Sequence, residues 1–286
     1  MTTLTKVETD LVVVDGVNVA TRTVGSGGRL VLFHRFRGTL DDWDPAFVSA
    51  LATAGREVFM FDSIGVGQTG GATPATVEGM ADFAASVIRA GGTEPVDVLG
   101  WSLGGFVAQV LAIKYPRVVR KLILAGTMPP GGSPELQWSR DWLKRASAPV
   151  PTAENALALL YADSDASRAA GMASLGRMPH PPTAYVSTTS MATQAEVIRR
   201  FGDGDEGGWY DRLKEIGAST FVANGDRDGL FPAIDSAVLA REIPRSQLAI
   251  YPDSGHAFLF QYAERFASDV RRFLEITSGR PAGEDP

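Results

Sequence analysis

The apolar run Val96-Asp97-Val98-Leu99 leads into Gly100-Trp101-Ser102-Leu103-Gly104-Gly105 and then into a helix-forming stretch from Phe106 to about Tyr115. A strand that ends in a glycine-bracketed serine and turns at once into a helix leaves the chain few options. The serine must sit on a sharp turn at the carboxyl end of a strand. Its hydroxyl is then exposed, and a helix N-terminus is aimed at any negative charge that forms beside it. Gly100 and Gly104 suit this turn, because a Cβ two residues before or after the serine would clash where the backbone folds on itself. A plain alternative is a helix N-cap in a phosphate-cradling turn. Against it, neither G-x-x-x-x-G-K-[ST] nor G-x-G-x-x-G stands at this strand end.

A nucleophilic serine in this setting needs an acid and then a histidine further along the chain, each on a loop that follows a strand. The strand-like Ser219–Asn224 is followed by Gly225-Asp226-Arg227-Asp228-Gly229-Leu230-Phe231-Pro232, and Gln247–Tyr251 by Pro252-Asp253-Ser254-Gly255-His256. The chain has three histidines, at 34, 180 and 256, and only His256 lies beyond the serine on such a loop. Its task would be to take the Ser102 proton and return it to the leaving group. A carboxylate behind it would fix the tautomer. The backbone N–H of Leu103, at the helix start, is placed to donate to an oxyanion.

The hydropathy pattern explains why these loops recur at strand ends. Leu11–Val14 and Val17–Val24 read as an opening strand pair around Asp15-Gly16. Leu30–Phe33, Glu57–Phe61, Val96–Gly100 and Leu122–Ala125 read as strands, with helices from Asp44-Pro45 to about Ala54 and from about Thr76 to Ala90. This rhythm predicts an α/β fold, a mostly parallel sheet with helices on both faces and its sites at the carboxyl ends of the strands. The rhythm stops at about Thr127 and resumes near Ser219. The stretch between holds two proline clusters and many large side chains, among them Trp138, Trp142, Tyr161, Met172, Met178, Tyr185, Met191, Phe201, Trp209 and Tyr210. It reads as a mainly helical cap, residues 127–216, inserted after the sixth strand into a core of residues 1–126 and 217–277. Most of its aromatic and methionine side chains are expected to form its own core and its contact with the sheet.

In these motifs the chain resembles the α/β-hydrolase superfamily, in the branch of cap-bearing esterases, lactonases and cofactor-free haloperoxidase-like enzymes. The resemblance runs from about Val12 to Leu274. It rests on the loop carrying His34, the Asp62-Ser-Ile-Gly65-Val-Gly67 loop, the turn at Ser102, the Gly225–Pro232 loop and Gly255-His256. It implies an eight-stranded sheet and selects Asp228 over Asp226 as the acid. It also places a second oxyanion donor on the N–H of Phe36, third in a loop that commonly reads His-Gly-x. Here that loop is His34-Arg35-Phe36-Arg37-Gly38, with arginine in place of the usual glycine.

The expected activity is cleavage of a carboxylic ester or lactone through an acyl-enzyme, with Ser102, Asp228 and His256 as the triad. Carbon–carbon bond hydrolysis and perhydrolysis are alternatives on the same residues, as is cofactor-free oxygenation using only His256. A receptor that keeps the fold without turnover is the rival from another class. Trp101, Arg35 and Phe258 flank the proposed machinery and are expected at the substrate pocket, which favours a mostly apolar substrate. Arg35 and Arg37 read either as a solvated pair on the rim or as a grip on an anionic group. His34 and His180 read as structural.

Composition narrows the classes further. Three scattered histidines and no cysteine offer no ligand spacing, so no metal is expected and disulfides are excluded, and the expected serine-hydrolase mechanism calls for no cofactor. A net charge of −6 without a basic run argues against general nucleic-acid binding. The first ten residues lack the basic-then-apolar order of a signal peptide, and the most apolar window, Val96–Ile113, is interrupted by polar residues and glycine. A soluble cytoplasmic protein without membrane association is therefore expected. The tail from Ser278 to Pro286 is expected to be disordered.

Overall fold

A computed structural model describes residues 7–276 except 54, 93, 133–144, 147, 149–151, 205 and 206. Trp138, Trp142 and the tail from Ser278 lie outside the described residues.

The strands expected from the hydropathy pattern form one eight-stranded sheet. They are β1 (Asp10–Val14), β2 (Val17–Gly25), β3 (Gly28–Phe33), β4 (Arg56–Phe61), β5 (Val96–Trp101), β6 (Val119–Ala125), β7 (Ser219–Gly225) and β8 (Ser246–Tyr251). Their order is β1-β2-β4-β3-β5-β6-β7-β8. β1 and β2 pair antiparallel and β2 lies antiparallel to β4, while every pairing from β4 to β8 is parallel. Two-sided burial explains the continuous apolar character of the middle strands: β5 is buried at all of its positions.

β6 begins earlier than the apolar run Leu122–Ala125 implies, because its charged residues are matched. Arg120 reaches the buried Asp97 carboxylate, and Lys121 Nζ donates to the carbonyls of Phe273 at 2.7 Å and Ile276 at 2.5 Å.

Helices cover both faces. α2 (Val77–Ala90) is capped by Thr76, whose hydroxyl accepts from Gly79 N–H, and buries Val77, Met80, Ala84 and Ile88. α3 (Leu103–Lys114) is buried from Leu103 to Ile113 and belongs to the same apolar cluster. The opposite face carries α1 (Pro45–Ala52) and α10 (Ala263–Glu275), where Phe47 stacks on Phe266 with ring centroids 5.7 Å apart. Burial on both faces is what supports a sheet of this size.

Between β6 and β7 the chain forms α4 (Ala153–Leu160), α5 (Asp165–Leu175), α6 (Thr188–Gly202) and α7 (Trp209–Arg212). Polar contacts tie this segment to loops at the carboxyl ends of the strands. Asp44 is wholly buried and accepts from Ser174 Oγ at 2.7 Å and Arg177 Nε at 2.8 Å. Ser164 Oγ donates to Asp253 at 2.8 Å, and Ser190 Oγ to the Gly65 carbonyl at 2.6 Å. Phe201 stacks on Phe106 of α3 at 4.2 Å and, with Trp209, joins the core, whereas Met172, Tyr185 and Tyr210 are exposed. After β7 come α8 (Ala233–Glu242) and, beyond β8, α9 (Phe258–Gln261). Among the described residues no helix is long and apolar enough to cross a membrane.

Candidate active site

Ser102 follows β5 directly and has φ 59° and ψ −121°, a left-handed conformation that L-residues rarely adopt. Its N–H donates to the Ala125 carbonyl at 3.0 Å, and its own carbonyl accepts from Gly105 N–H and from Thr127 Oγ1. These bonds hold the turn in its unfavourable backbone region. The flanking glycines are required sterically. A Cβ on Gly100 would lie 2.3 Å from the Gly104 carbonyl oxygen. A Cβ on Gly104 would lie 2.3 Å from the carbonyl oxygen of Phe33 and 2.8 Å from that of His34, so the start of α3 is pressed against the end of β3.

The loops after β7 and β8 are pressed together as well, since a Cβ on Gly225 would meet the Ser254 carbonyl at 2.3 Å. That contact brings His256 Nδ1 to 2.8 Å from Asp228 Oδ2, with both side chains buried. The other carboxylate oxygen, Oδ1, accepts from Leu230 N–H at 2.8 Å and Phe231 N–H at 3.2 Å. Both oxygens are thus used, and the carboxylate cannot turn. Because a carboxylate only accepts, Nδ1 carries the ring proton and Nε2 presents a lone pair. Nε2 is buried and has no hydrogen-bond partner among the described residues.

The other acids of these loops do different work. Asp226 Oδ1 accepts from Ser254 N–H at 3.1 Å and joins the two loops, while Asp253 takes Ser164 Oγ and pairs with Arg227 at 3.1 Å. The histidine is also tied to the end of β5: Trp101 Nε1–H donates to the His256 carbonyl at 3.1 Å. A Cβ on Gly126, at φ 49°, would lie 3.3 Å from both His256 Nδ1 and Trp101 Nε1, so all three chain segments converge beside Ser102.

The loop after β3 is nearly saturated with hydrogen bonds. Arg35 N–H donates to His34 Nδ1 at 2.8 Å, Arg37 N–H to Gln194 Oε1 at 3.0 Å, Gly38 N–H to the Arg35 carbonyl at 3.0 Å, Thr39 N–H to Asp42 at 2.9 Å and Leu40 N–H to Asp62 at 2.7 Å. In this run only the Phe36 N–H has no acceptor among the described residues. An open donor in a run whose other N–H groups are all engaged fits an anion-accepting position.

His34 takes the structural place expected of it. It is pushed well below the usual imidazole range by burial and then by the Arg35 charge, and it serves as a neutral acceptor. Burial likewise pushes the Asp62 carboxyl up to about 6, although the Gln68 and Leu40 N–H groups that it accepts act in the opposite sense.

A cavity of about 30 Å³ lies beside this loop, between Phe33, Phe61, Met80, Phe83, Leu103 and Val107, with Arg35 and Gln194 also on its wall. Two of the expected pocket residues lie elsewhere. Trp101 and Phe258 are fully buried and do not line this cavity. Trp101 packs against His34, Trp43 and Phe260, and Phe258 stacks on Tyr251 and meets Phe266 edge-on. Arg35 does line the cavity; its Nη1 donates to the Phe36 carbonyl at 2.7 Å and its Nη2 to Asp42 at 3.0 Å, while Nε has no hydrogen-bond partner among the described residues. Arg37 donates to the carbonyls of Ala146 and Ala148 at 2.9 and 2.7 Å. Both arginines are half-buried and hold neighbouring backbone carbonyls. His180 is exposed. Gln194 carries no sequence motif, and its contact with Arg37 spans 157 positions, so no local signal marks it.

Comparison with known proteins gives a consistent picture. The family model for the alpha/beta hydrolase fold matches residues 28–263. The chain is similar, at 31% identity over 257 residues, to a poly(3-hydroxyalkanoate) depolymerase of Ectopseudomonas oleovorans, covering 86% of this chain and 84% of that protein. It is 28% identical over 199 residues to a 2-hydroxymuconate semialdehyde hydrolase of Pseudomonas putida, covering 68% and 67% of the two chains. Among solved structures, an alpha/beta hydrolase fold protein from Chitinophaga pinensis superposes with a TM-score of 0.88 at 32% identity, over 96% of this chain and all of that one.

Proposed function

Because this chain belongs to the alpha/beta hydrolase fold family, we propose that it is a serine hydrolase acting on a carboxylic ester or lactone through an acyl-enzyme. The observation that carries this reading is the buried Asp228–His256 pair, oriented with Nε2 as its open edge beside the strained turn at Ser102.

In the proposed reaction the Ser102 hydroxyl attacks the carbonyl carbon as its proton passes to His256 Nε2, and Asp228 stabilises the imidazolium. The oxyanion receives the N–H groups of Leu103 and Phe36. His256 then returns the proton to the departing alkoxide, and a water activated by the same nitrogen hydrolyses the acyl-serine. Helices α4–α7 act as the cap over this site, docked through Asp44, Ser164 and Ser190. The apolar wall beside Leu103 favours an apolar substrate body around one polar reacting centre. A depolymerase of a polyester among the similar proteins supports an ester as the bond cleaved.

Cleavage of a carbon–carbon bond next to a carbonyl is a second reading, supported by the likeness to a semialdehyde hydrolase. It uses the same three residues.

The test is exposure of the purified protein to a fluorophosphonate, with peptide mapping of the adduct, followed by turnover of aryl esters of graded chain length, lactones of graded ring size and a carbon–carbon hydrolase substrate. An adduct on Ser102 with ester or lactone turnover is expected. No adduct and no turnover would remove the serine-hydrolase reading, and an adduct without turnover would favour a receptor.

A further inference from the structure

The peptide unit that follows the proposed Phe36 donor is gripped at both ends by side chains. It is the unit between Phe36 and Arg37, whose carbonyl accepts from Arg35 Nη1 at 2.7 Å and whose N–H donates to Gln194 Oε1 at 3.0 Å. Arg37 itself has φ +59°, in a turn closed by Gly38 N–H on the Arg35 carbonyl. A non-glycine residue there is strained and is retained only where neighbours over-determine it. The grips come from different parts of the molecule. Arg35 belongs to the loop, whereas Gln194 belongs to α6, in the segment inserted between β6 and β7, and is 3% exposed.

Fixing the Phe36–Arg37 peptide fixes ψ of Phe36. The plane of the next peptide upstream, the one that carries the open Phe36 N–H, is thereby limited to rotation about a single φ. The Arg35 carbonyl at the other end of that peptide is held by Gly38. Gln194 also lies on the wall of the cavity that Arg35, Gly38, Leu103 and Gly104 share, so its amide stands over the same loop that the substrate must approach.

We infer that Gln194 is a positioning residue: its side-chain oxygen holds the Phe36 N–H in line with that of Leu103, so that the cap helix α6 completes the oxyanion hole. The inference rests on the serine-hydrolase reading. It adds that the donor pair is assembled by two separate parts of the chain, and that cap position and transition-state stabilisation are coupled through one hydrogen bond. A donor displaced by a fraction of an ångström loses much of its worth, because it must meet charge that exists only in the transition state.

The experiment compares wild type with Gln194→Leu, which keeps the volume and removes the acceptor, Gln194→Ala, which removes both, and Gln194→Glu, which keeps an acceptor. The probes are p-nitrophenyl acetate turnover, inhibition by a trifluoromethyl ketone that forms a tetrahedral oxyanion adduct, and fluorophosphonate mapping of Ser102. The expected result for Gln194→Leu and Gln194→Ala is a fall in kcat of about ten- to a hundredfold, with KM within about threefold and ketone affinity weakened in parallel with kcat. Gln194→Glu should restore kcat to within about threefold above the titration of its carboxyl.

Equal losses in Leu, Ala and Glu variants, a loss confined to KM, or wild-type kcat in both Leu and Ala variants would each overturn the inference, with Ser102 labelling and turnover of wild type leaving the hydrolase reading intact. Absence of labelling and turnover in wild type would remove both. If one variant does not fold, the other acceptor-free variant decides.

Discussion

The indole Nε1–H of Trp101 donates to the backbone carbonyl of His256 at 3.1 Å, so the residue before the proposed nucleophile holds the proposed base. The bond crosses 155 positions of sequence and joins the end of β5 to the loop after β8. Both partners are buried, Trp101 fully and His256 to 1% exposure, so water cannot replace the donor. Trp101→Phe keeps most of the ring packing and leaves that carbonyl without its partner. The expected effects are a loss of about 1–3 kcal/mol in stability and a fall of about tenfold in turnover from a looser imidazole. Urea unfolding and aryl-ester kinetics measure the two. Unchanged values in both would mean that the contact holds nothing in place.

Asp228, Asp226 and Asp253 lie on neighbouring loops and differ in what they touch. Only Asp228 meets His256, while Asp226 bridges to Ser254 and Asp253 to Ser164. In Asp228→Asn, the amide oxygen would keep the Leu230 and Phe231 N–H donors and turn the NH₂ towards Nδ1. The imidazole proton would move to Nε2, the nitrogen that must accept from Ser102. The corresponding change in serine proteases lowers turnover by about four orders of magnitude, so a loss of at least about a hundredfold is expected here. Asp226→Asn and Asp253→Asn should stay within about tenfold. The opposite ranking at equal melting temperatures would move the acid to another residue.

Ser102 occupies its backbone conformation at a cost, which separates activity from stability. Ser102→Ala keeps the Cβ and the strain, and is expected to remove ester turnover with little change in folding. Ser102→Gly also removes the nucleophile but is at ease at φ 59°. It should therefore be more stable than Ser102→Ala by about 1 kcal/mol. Calorimetric melting of the two variants reads the difference. Ester turnover by Ser102→Ala within tenfold of wild type would sink the nucleophile assignment.

What could be read from the sequence follows from how locally each feature is encoded. The turn at Ser102 is legible because its glycines are sterically compelled. The middle strands are legible because burial on both faces demands unbroken apolar runs. β6 reads short because Arg120 and Lys121 look like loop residues until their partners, Asp97 and the end of α10, are in place. Proximity in sequence misplaces Trp101 and Phe258. Side chains alternate along β5, so Leu99 and Trp101 point to the face that holds Phe47 and Phe266, while Val98 joins the α2–α3 face. Gln194 and Asp44 act through contacts made only when distant segments dock, and no periodicity or motif records such contacts.

Asp62 gives a pH signature that belongs to the loop after β3 rather than to the Asp228–His256 pair. Its carboxylate accepts from Leu40 N–H at 2.7 Å and Gln68 N–H at 2.8 Å, joining the loops after β3 and β4. Burial raises its pKa from an ordinary 3.8 to about 6 in the folded protein, outweighing the N–H donors and the Arg22 charge. Between those values the folded chain keeps a proton that the unfolded chain has released. This group's contribution to stability is therefore fully present below about 3.8 and is lost as pH rises through about 6. The change across the window is on the order of 3 kcal/mol. Asp62→Asn cannot titrate, and comparison with it cancels the pH dependence of every other group that the substitution leaves undisturbed. Urea unfolding at steps from pH 4 to pH 8 should show wild type losing stability relative to Asp62→Asn as pH rises to about 6 and a constant difference beyond it. A difference that is flat throughout, or that moves in wild type's favour with rising pH, would mean that the two N–H donors prevail over burial and that Asp62 is an ordinary ionised anchor of the loop.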